Sequence, residues 1–184
     1  MDKKRLLMLV EIAVFAGVGV ILDTLTISMP QGGSVSFVMV PIVLMAIRWG
    51  LGAGLTTGLL IGILQMMFAP KIYHWVQGLL DYGLAFTVVG LAAVVRKPLL
   101  EAARNSVKSR IILYITLGTV IGGLLRYAAH TVAGAVFFAE YAGDQNEWIY
   151  SIIYNGTYMI PAIILTAIVA SLLFTAAPKL LKQG

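Results

Sequence analysis

The sequence predicts an all-α integral membrane protein: a single bundle of six transmembrane helices with both termini cytoplasmic. Three observations carry this. Of the 184 residues, 60% are apolar and 11% charged, against roughly 25% charged in a soluble domain. The apolar residues gather into six long runs, and the basic residues fall almost entirely on one side of the membrane those runs would cross. A spanning helix takes about 20 mostly apolar residues, so six spans leave little chain for loops, and residues 1–184 read as one domain.

The first run covers about residues 6 to 27. Its basic start and apolar stretch resemble a signal peptide, with Ala13 to Ala16 as a cleavage site, but Glu11 interrupts the run and it continues to spanning length. The second, about 36 to 48, is short for a span and is expected to tilt or to be shielded by its neighbours. The third covers about 51 to 68, the fourth about 75 to 95, the fifth about 111 to 138 and the sixth about 149 to 176. All are helices, because an open sheet leaves its backbone unsatisfied in lipid. Between spans four and five, Lys97 to Ser109 is the one charged linker and reads as a cytoplasmic loop.

With Lys3, Lys4 and Arg5 inside, Arg48, Arg96, Lys97, Arg104, Lys108, Arg110, Lys179 and Lys182 fall on the same side. The exceptions are Lys71, in an outer loop, and Arg126, within span five, while Glu140, Asp144 and Glu147 fall outside. This is the positive-inside bias. It accounts for the net charge of +5 without a nucleic-acid partner.

Several chemistries are excluded. Without cysteine there is no disulfide, thiolate nucleophile or Cys-bound zinc. Gly50-Leu-Gly-Ala-Gly54 lacks the third glycine of a dinucleotide-binding turn, which would fall at Leu55. Gly50, Gly54, Gly58 and Gly62 instead form a small-residue stripe that admits a neighbouring helix; Ala13 and Gly17 make a shorter one. No phosphate-binding P-loop, no metal-ligand spacing and no nucleophile elbow is present. These absences argue against an enzyme.

Polar groups within the spans are functional candidates, since a carboxylate at mid-bilayer costs about 2.5 to 3.5 kcal/mol even on lenient scales. Asp81 lies six residues into span four, about 9 Å deep; His130 lies about 12 Å and Asn155 about 9 Å from the outer ends of spans five and six. Three helices thus bring polar side chains to one level. Residues four apart share a helix face, which aligns Tyr73, Gln77 and Asp81 on span four. The same rule aligns Arg126, His130, Gly134 and Phe138 on span five, and Ser151, Asn155 and Tyr158 on span six. Gly134 would leave room beside His130 for something flat. All tyrosines but Tyr114 lie in the outer half, and a one-sided excess fits an aromatic pocket better than a belt. Tyr127 and Tyr150 are assigned to the pocket; Trp75 and Trp148 fit pocket or belt. A carboxylate among aromatic rings suits a flat organic cation. The alternative for Asp81 is a structural ion pair with Arg126.

At these residues the chain resembles a known family. Leu125-Arg-Tyr-Ala-Ala-His130 with Gly134, Leu80-Asp-Tyr82, Ile149-Tyr-Ser-Ile-Ile-Tyr-Asn155 and Pro41 with Arg48-Trp-Gly-Leu-Gly-Ala-Gly54 are similar to the thiamine-specific substrate-binding subunits of energy-coupling factor (ECF) transporters. The resemblance implies a six-helix bundle in the bacterial cell membrane that holds thiamine in an outward cavity. An acidic residue at the Asp81 position would face the thiazolium, and His130, Gly134, Tyr150, Ser151 and Asn155 would line the site. Tyr82 and Tyr73 are further carry-overs. The chain departs from some members at Gly32 and Ser36, where those carry Trp and Glu, at Phe138, where those carry Trp, and at Asp81, where a longer Glu occurs.

The resemblance also implies partners: a transmembrane coupling subunit and two ATPases, which alone would use ATP, with no cofactor in this chain. Ala13 and Gly17 would be the docking surface or, equally, an internal packing stripe. Ser28 to Val35 would form a lid. Two other classes remain open from the residues alone: a membrane enzyme using Asp81 and His130 as acid and base, or a passive facilitator. Within the transport class, another vitamin-like cation is an alternative ligand.

Overall fold

A computed structural model of the chain describes residues 2–68 and 71–181; Lys182, counted above among the inner basic residues, lies outside these. Helix α1 runs over Lys3–Thr24 and α2 over Met39–Trp49, with a two-stranded antiparallel hairpin between them, β1 (Thr26–Ser28) and β2 (Ser34–Ser36). Helix α3 covers Leu51–Phe68, α4 Trp75–Arg104, α5 Lys108–Phe137 and α6 Glu147–Ala176. Five of these, all but α2, are long and apolar enough to cross a membrane.

α2 corrects the second predicted span. It has 11 residues, about 16 Å at 1.5 Å per residue, and it begins later than expected because Ser34–Ser36 is a strand. Residues Met39 to Ile47 are all buried, so neighbouring helices, not lipid, surround it. Its last carbonyls are capped by a cation: Arg96 Nε donates to Ile47 O at 2.8 Å and Nη2 to Arg48 O at 3.2 Å, the favourable pairing at a helix C-terminus.

Gly50 is not part of the glycine stripe. At φ 99° it makes the turn from α2 to α3, a conformation that costs glycine nothing. Gly54, Gly58 and Gly62 do form the expected seam: a Cβ on Gly54 would overlap Ala46 of α2 and approach Gly90 of α4, and one on Gly58 or Gly62 would overlap the Phe86 or Tyr82 carbonyl of α4. α4 is not uniform. Leu79–Leu84 is a π-helical turn and Gly90–Val95 a tighter 3₁₀ turn. The widened turn carries Asp81 and Tyr82, and Thr87 Oγ1 donates to Gly83 O at 2.6 Å, satisfying a carbonyl there.

The predicted cytoplasmic loop after span four is largely helix. Arg96–Arg104 extends α4, because Leu99 and Ala102 bury one face while its charges stay outside; only residues 105–107 turn the chain. At the end of the bundle away from the hairpin, Arg48 joins Glu11 through Nε at 2.6 Å and Nη2 at 2.8 Å, and Trp49 Nε1 donates to Glu11 Oε2 at 2.6 Å. Arg48 Nη1 also reaches Leu180 O at 3.0 Å, tying α1, α2 and the C-terminal turn together. Glu11, which interrupted the first apolar run, is therefore paired.

Candidate functional site

At the hairpin end, α1, α3, α4, α5 and α6 enclose a cavity of about 420 Å³, within the size range of small-ligand pockets. Asp81 is at its centre chemically. His130 Nδ1 lies 2.7 Å from Asp81 Oδ1, and Gln77 Nε2 donates to Asp81 Oδ2 at 2.7 Å. Arg126 Nε donates to His130 Nε2 at 3.2 Å. An imidazole nitrogen that accepts from a guanidinium bears no hydrogen, so the proton of His130 sits on Nδ1 and points at Asp81. The direct Asp81–Arg126 ion pair is thus replaced by a relay through His130. Arg126, 6% exposed, lies with its guanidinium carbon 4.2 Å from the centre of the Phe86 ring.

The α4 side of this cluster forms before the helix is fully regular. Tyr73 precedes α4 and so does not share a helix face with Gln77; instead its backbone N–H donates to Gln77 Oε1 at 3.1 Å, while Gln77 Nε2 also reaches Lys71 O at 3.2 Å. His74 caps the helix, its Nδ1 accepting from Val76 N at 3.2 Å. Tyr82 accepts the backbone N–H of Lys71 at 2.9 Å. Tyr73 meets Phe138 edge to face at 5.5 Å between centroids, and Phe138 in turn lies beside Tyr141, giving one aromatic wall.

α6 supplies the other wall. Asn146 caps it, accepting from Trp148 N and Ile149 N. Ser151 Oγ donates to Thr131 O at 2.7 Å, Asn155 Nδ2 donates to Ser151 O at 2.8 Å, and Tyr158 donates to Asn155 Oδ1. The hairpin closes over these residues. Gln31 N donates to Tyr154 Oη at 2.9 Å, Tyr154 Oη donates to Gly32 O at 2.9 Å, and Tyr150 donates to Gln31 Oε1. Gly33, at φ 81°, packs on the Tyr158 ring where any Cβ would overlap it. The segment Ser28 to Val35 therefore covers the cavity as a hairpin turn, and Gly32 lines it.

Asp81, His130, Gly134, Phe138, Tyr150, Ser151, Asn155, Tyr82, Tyr73 and Gln77 all line the cavity. Tyr127 does not. It follows Arg126 by one residue, about 100° around the helix, and its hydroxyl donates to Ile152 O at 2.5 Å in the α5–α6 interface. Gly134 lines the cavity beside His130 as expected, and on its Cβ side it also lets α5 and α6 approach, since a Cβ there would overlap Ser151 Oγ. Trp75 and Trp148 are exposed and away from the cavity, the belt alternative.

Sequence reasoning missed Asp23, Gln65, Phe86, Tyr141 and Tyr154, all of which line the cavity. Tyr154 lies four residues after Tyr150, and helical spacing alone identifies it. Asp23 and Gln65 carry a weaker signal: each is polar near the outer end of an apolar helix, where it reads as the edge of a span.

Comparison with known proteins accords with this geometry. The family described as thiamine transporter protein (Thia_YuaJ) matches residues 9–182. The chain is 48% identical to the thiamine transporter ThiT of Bacillus subtilis (strain 168), over 99% of this chain and 97% of that one. It is 33% identical to ThiT of Lacticaseibacillus paracasei, over 96% and 91%. A solved structure of ThiT from Listeria monocytogenes superposes with a TM-score of 0.92 at 30% identity, covering 97% of this chain and 99% of that one. These are transporters and not enzymes. The chain belongs to the thiamine transporter family, as a multi-pass protein of the bacterial cell membrane.

Proposed function

We propose that this protein captures thiamine in an outward-facing cavity and delivers it for ATP-driven uptake. The observation that carries the reading is the Asp81 carboxylate, fixed by His130 and Gln77 inside a cavity walled by Tyr73, Phe138, Tyr141 and Tyr82. Both oxygens are oriented by donors from the protein, so the carboxylate offers a fixed negative charge to a cation. Ring faces add about 0.5 to 2 kcal/mol each for such a guest. The thiazolium of thiamine supplies the charge and the flat shape. Its aminopyrimidine then lies toward Tyr150, Ser151 and Asn155 on α6, with His130 and Gly134 completing the wall.

Six crossings with both ends cytoplasmic remain the topology of this reading, α2 and the hairpin together making the second. The chain has no nucleotide-binding motif, so concentrative uptake takes its energy from partners, an ECF transmembrane coupling subunit and two ATPases. Ala13 is exposed and Gly17 has no atom within 4 Å of a Cβ placed on it. This exposure favours the stripe as the docking surface over internal packing. The test is mass spectrometry of small molecules released from the detergent-purified chain. Thiamine in the released fraction is the expected result; another organic cation in its place overturns the assignment.

A further inference from the structure

The hairpin does not stand above the bundle but is set into its wall. Its tip is held on α6, where Gln31 N donates to Tyr154 Oη at 2.9 Å and Gly33 packs on the Tyr158 ring. Tyr154 and Tyr158 follow the start of that helix, Glu147, by about 10 and 16 Å at 1.5 Å per residue. The base of the hairpin is held on α1, where Ser36 Oγ donates to Asp23 Oδ1 at 2.7 Å. From Leu6, the first residue after the basic start, to Leu25 the chain rises about 30 Å, the thickness of the hydrocarbon core. β1 therefore begins at the boundary between acyl chains and headgroups.

From Thr24 onward the side chains alternate. Thr24, Thr26 and Ser28 line the cavity, together with Ser34 of β2, whereas Leu25 and Ile27 do not and are 61% and 70% exposed. Successive side chains of extended backbone face opposite sides. Polar inside and apolar outside is the reverse of a strand whose outer face meets water, and it is the pattern of a strand between a polar lumen and lipid. The apolar side also continues a membrane-facing surface. α1 packs on its neighbours through Ile12, Ala16 and Gly19, the last against Ile61 of α3, which runs alongside it in the same direction. Its other side carries Ile21, 65% exposed. Leu25 lies one turn beyond Ile21 on the same face, and Ile27 extends that line onto the hairpin.

We propose that the outer face of the hairpin is a lipid-contact surface: Leu25 and Ile27 rest among the acyl chains of the leaflet at the hairpin end of the bundle, while the backbone of β1 stays at the level of the lipid ester groups. Among the described residues β1 pairs only with β2, and the N–H and C=O groups of its other edge need partners that hydrocarbon does not hold. Ester carbonyls and interfacial water supply them. The segment that covers the cavity is then also part of the wall facing the membrane, and moving it off the cavity moves two apolar side chains within lipid. The contact does not depend on which cation the cavity holds.

The chain has no cysteine, so Ile27→Cys carries a single nitroxide label. In phosphatidylcholine nanodiscs holding one copy each, power-saturation EPR compares collisions of the label with oxygen, which concentrates among acyl chains, and with a neutral nickel chelate, which stays in water. Asp144→Cys, exposed between α5 and α6, is the water reference and Ile21→Cys the lipid reference. The ratio of oxygen to nickel collisions at Ile27 is expected to exceed that at Asp144 several-fold and to approach that at Ile21. A ratio no higher than that at Asp144 overturns the proposal, because water then covers the face. Few collisions with either reagent overturn it as well, because another part of the protein then covers it. Where thermal unfolding in detergent shows that Ile27→Cys does not fold, Leu25→Cys takes its place with the same expectation.

Discussion

At the residue scale, the protein presents a carboxylate whose surroundings are built from its own neighbours. Asp81 takes one hydrogen bond from a helix turn of its own, through Gln77, and one from α5, through His130. Asp81→Asn keeps the shape and removes the charge. It is expected to weaken thiamine binding tenfold or more, about 1.4 kcal/mol, in a fluorescence titration; unchanged affinity would remove Asp81 from cation recognition. Most of the polar cluster was legible because helical spacing and depth are properties of sequence. What spacing does not give is direction within a face. Tyr127 sits next to Arg126 yet points into the α5–α6 interface. Asp23 and Gln65 escaped notice because a polar residue near the end of an apolar run looks like the end of the run; only the parallel contact of α1 and α3 turns both into the cavity.

At the element scale, two devices shape the site. The first is the seam of Gly54, Gly58 and Gly62 against α4. Gly58→Ala would press a methyl group into the Phe86 carbonyl, at a cost of about 1–3 kcal/mol for overpacking, and should lower the thermal unfolding midpoint in detergent. Gly17→Ala, with nothing within 4 Å, should leave that midpoint in place. A shared shift of both variants would mean that glycine's helix propensity, not the seam, decides the effect. The stripe was legible in sequence, but its first member was not: Gly50 belongs to a turn, and a period of four cannot tell a helical glycine from one just before the helix. The π turn at Leu79–Leu84 left no mark in the apolar pattern either, since one wide turn shifts the register by less than the width of an apolar face. The second device is the hairpin latch. Tyr154→Phe removes the hydroxyl that both accepts from Gln31 N and donates to Gly32 O. It is expected to raise the thiamine dissociation rate several-fold with a smaller effect on association, read by stopped-flow fluorescence. An unchanged dissociation rate would show that the ring contacts alone hold the hairpin.

At the scale of the whole molecule, the mostly helical membrane fold was legible from composition, since the bilayer enforces helices. The number of full-length crossings was not, because burial of α2 by protein lets a short apolar helix replace a long one. The proposed ATP-driven transport adds a requirement that binding does not have: an outer surface for the motor. Ala13→Leu places a large side chain on exposed α1 and is expected to abolish ATP-driven uptake in vesicles reconstituted with the coupling subunit and ATPases, while thiamine binding stays within twofold. Normal uptake would move the docking surface elsewhere on the bundle. The unequal make-up of the α2 crossing has one more consequence. Its lower half is a plug of apolar side chains anchored by Arg48 and Arg96, while its upper half is extended chain fastened by a few tyrosine hydroxyls. Entry therefore needs only the upper half to swing like a door in a fixed frame. With the cavity facing outward as proposed, the described residues offer no second door toward the cell interior, and release there would require something to turn the frame.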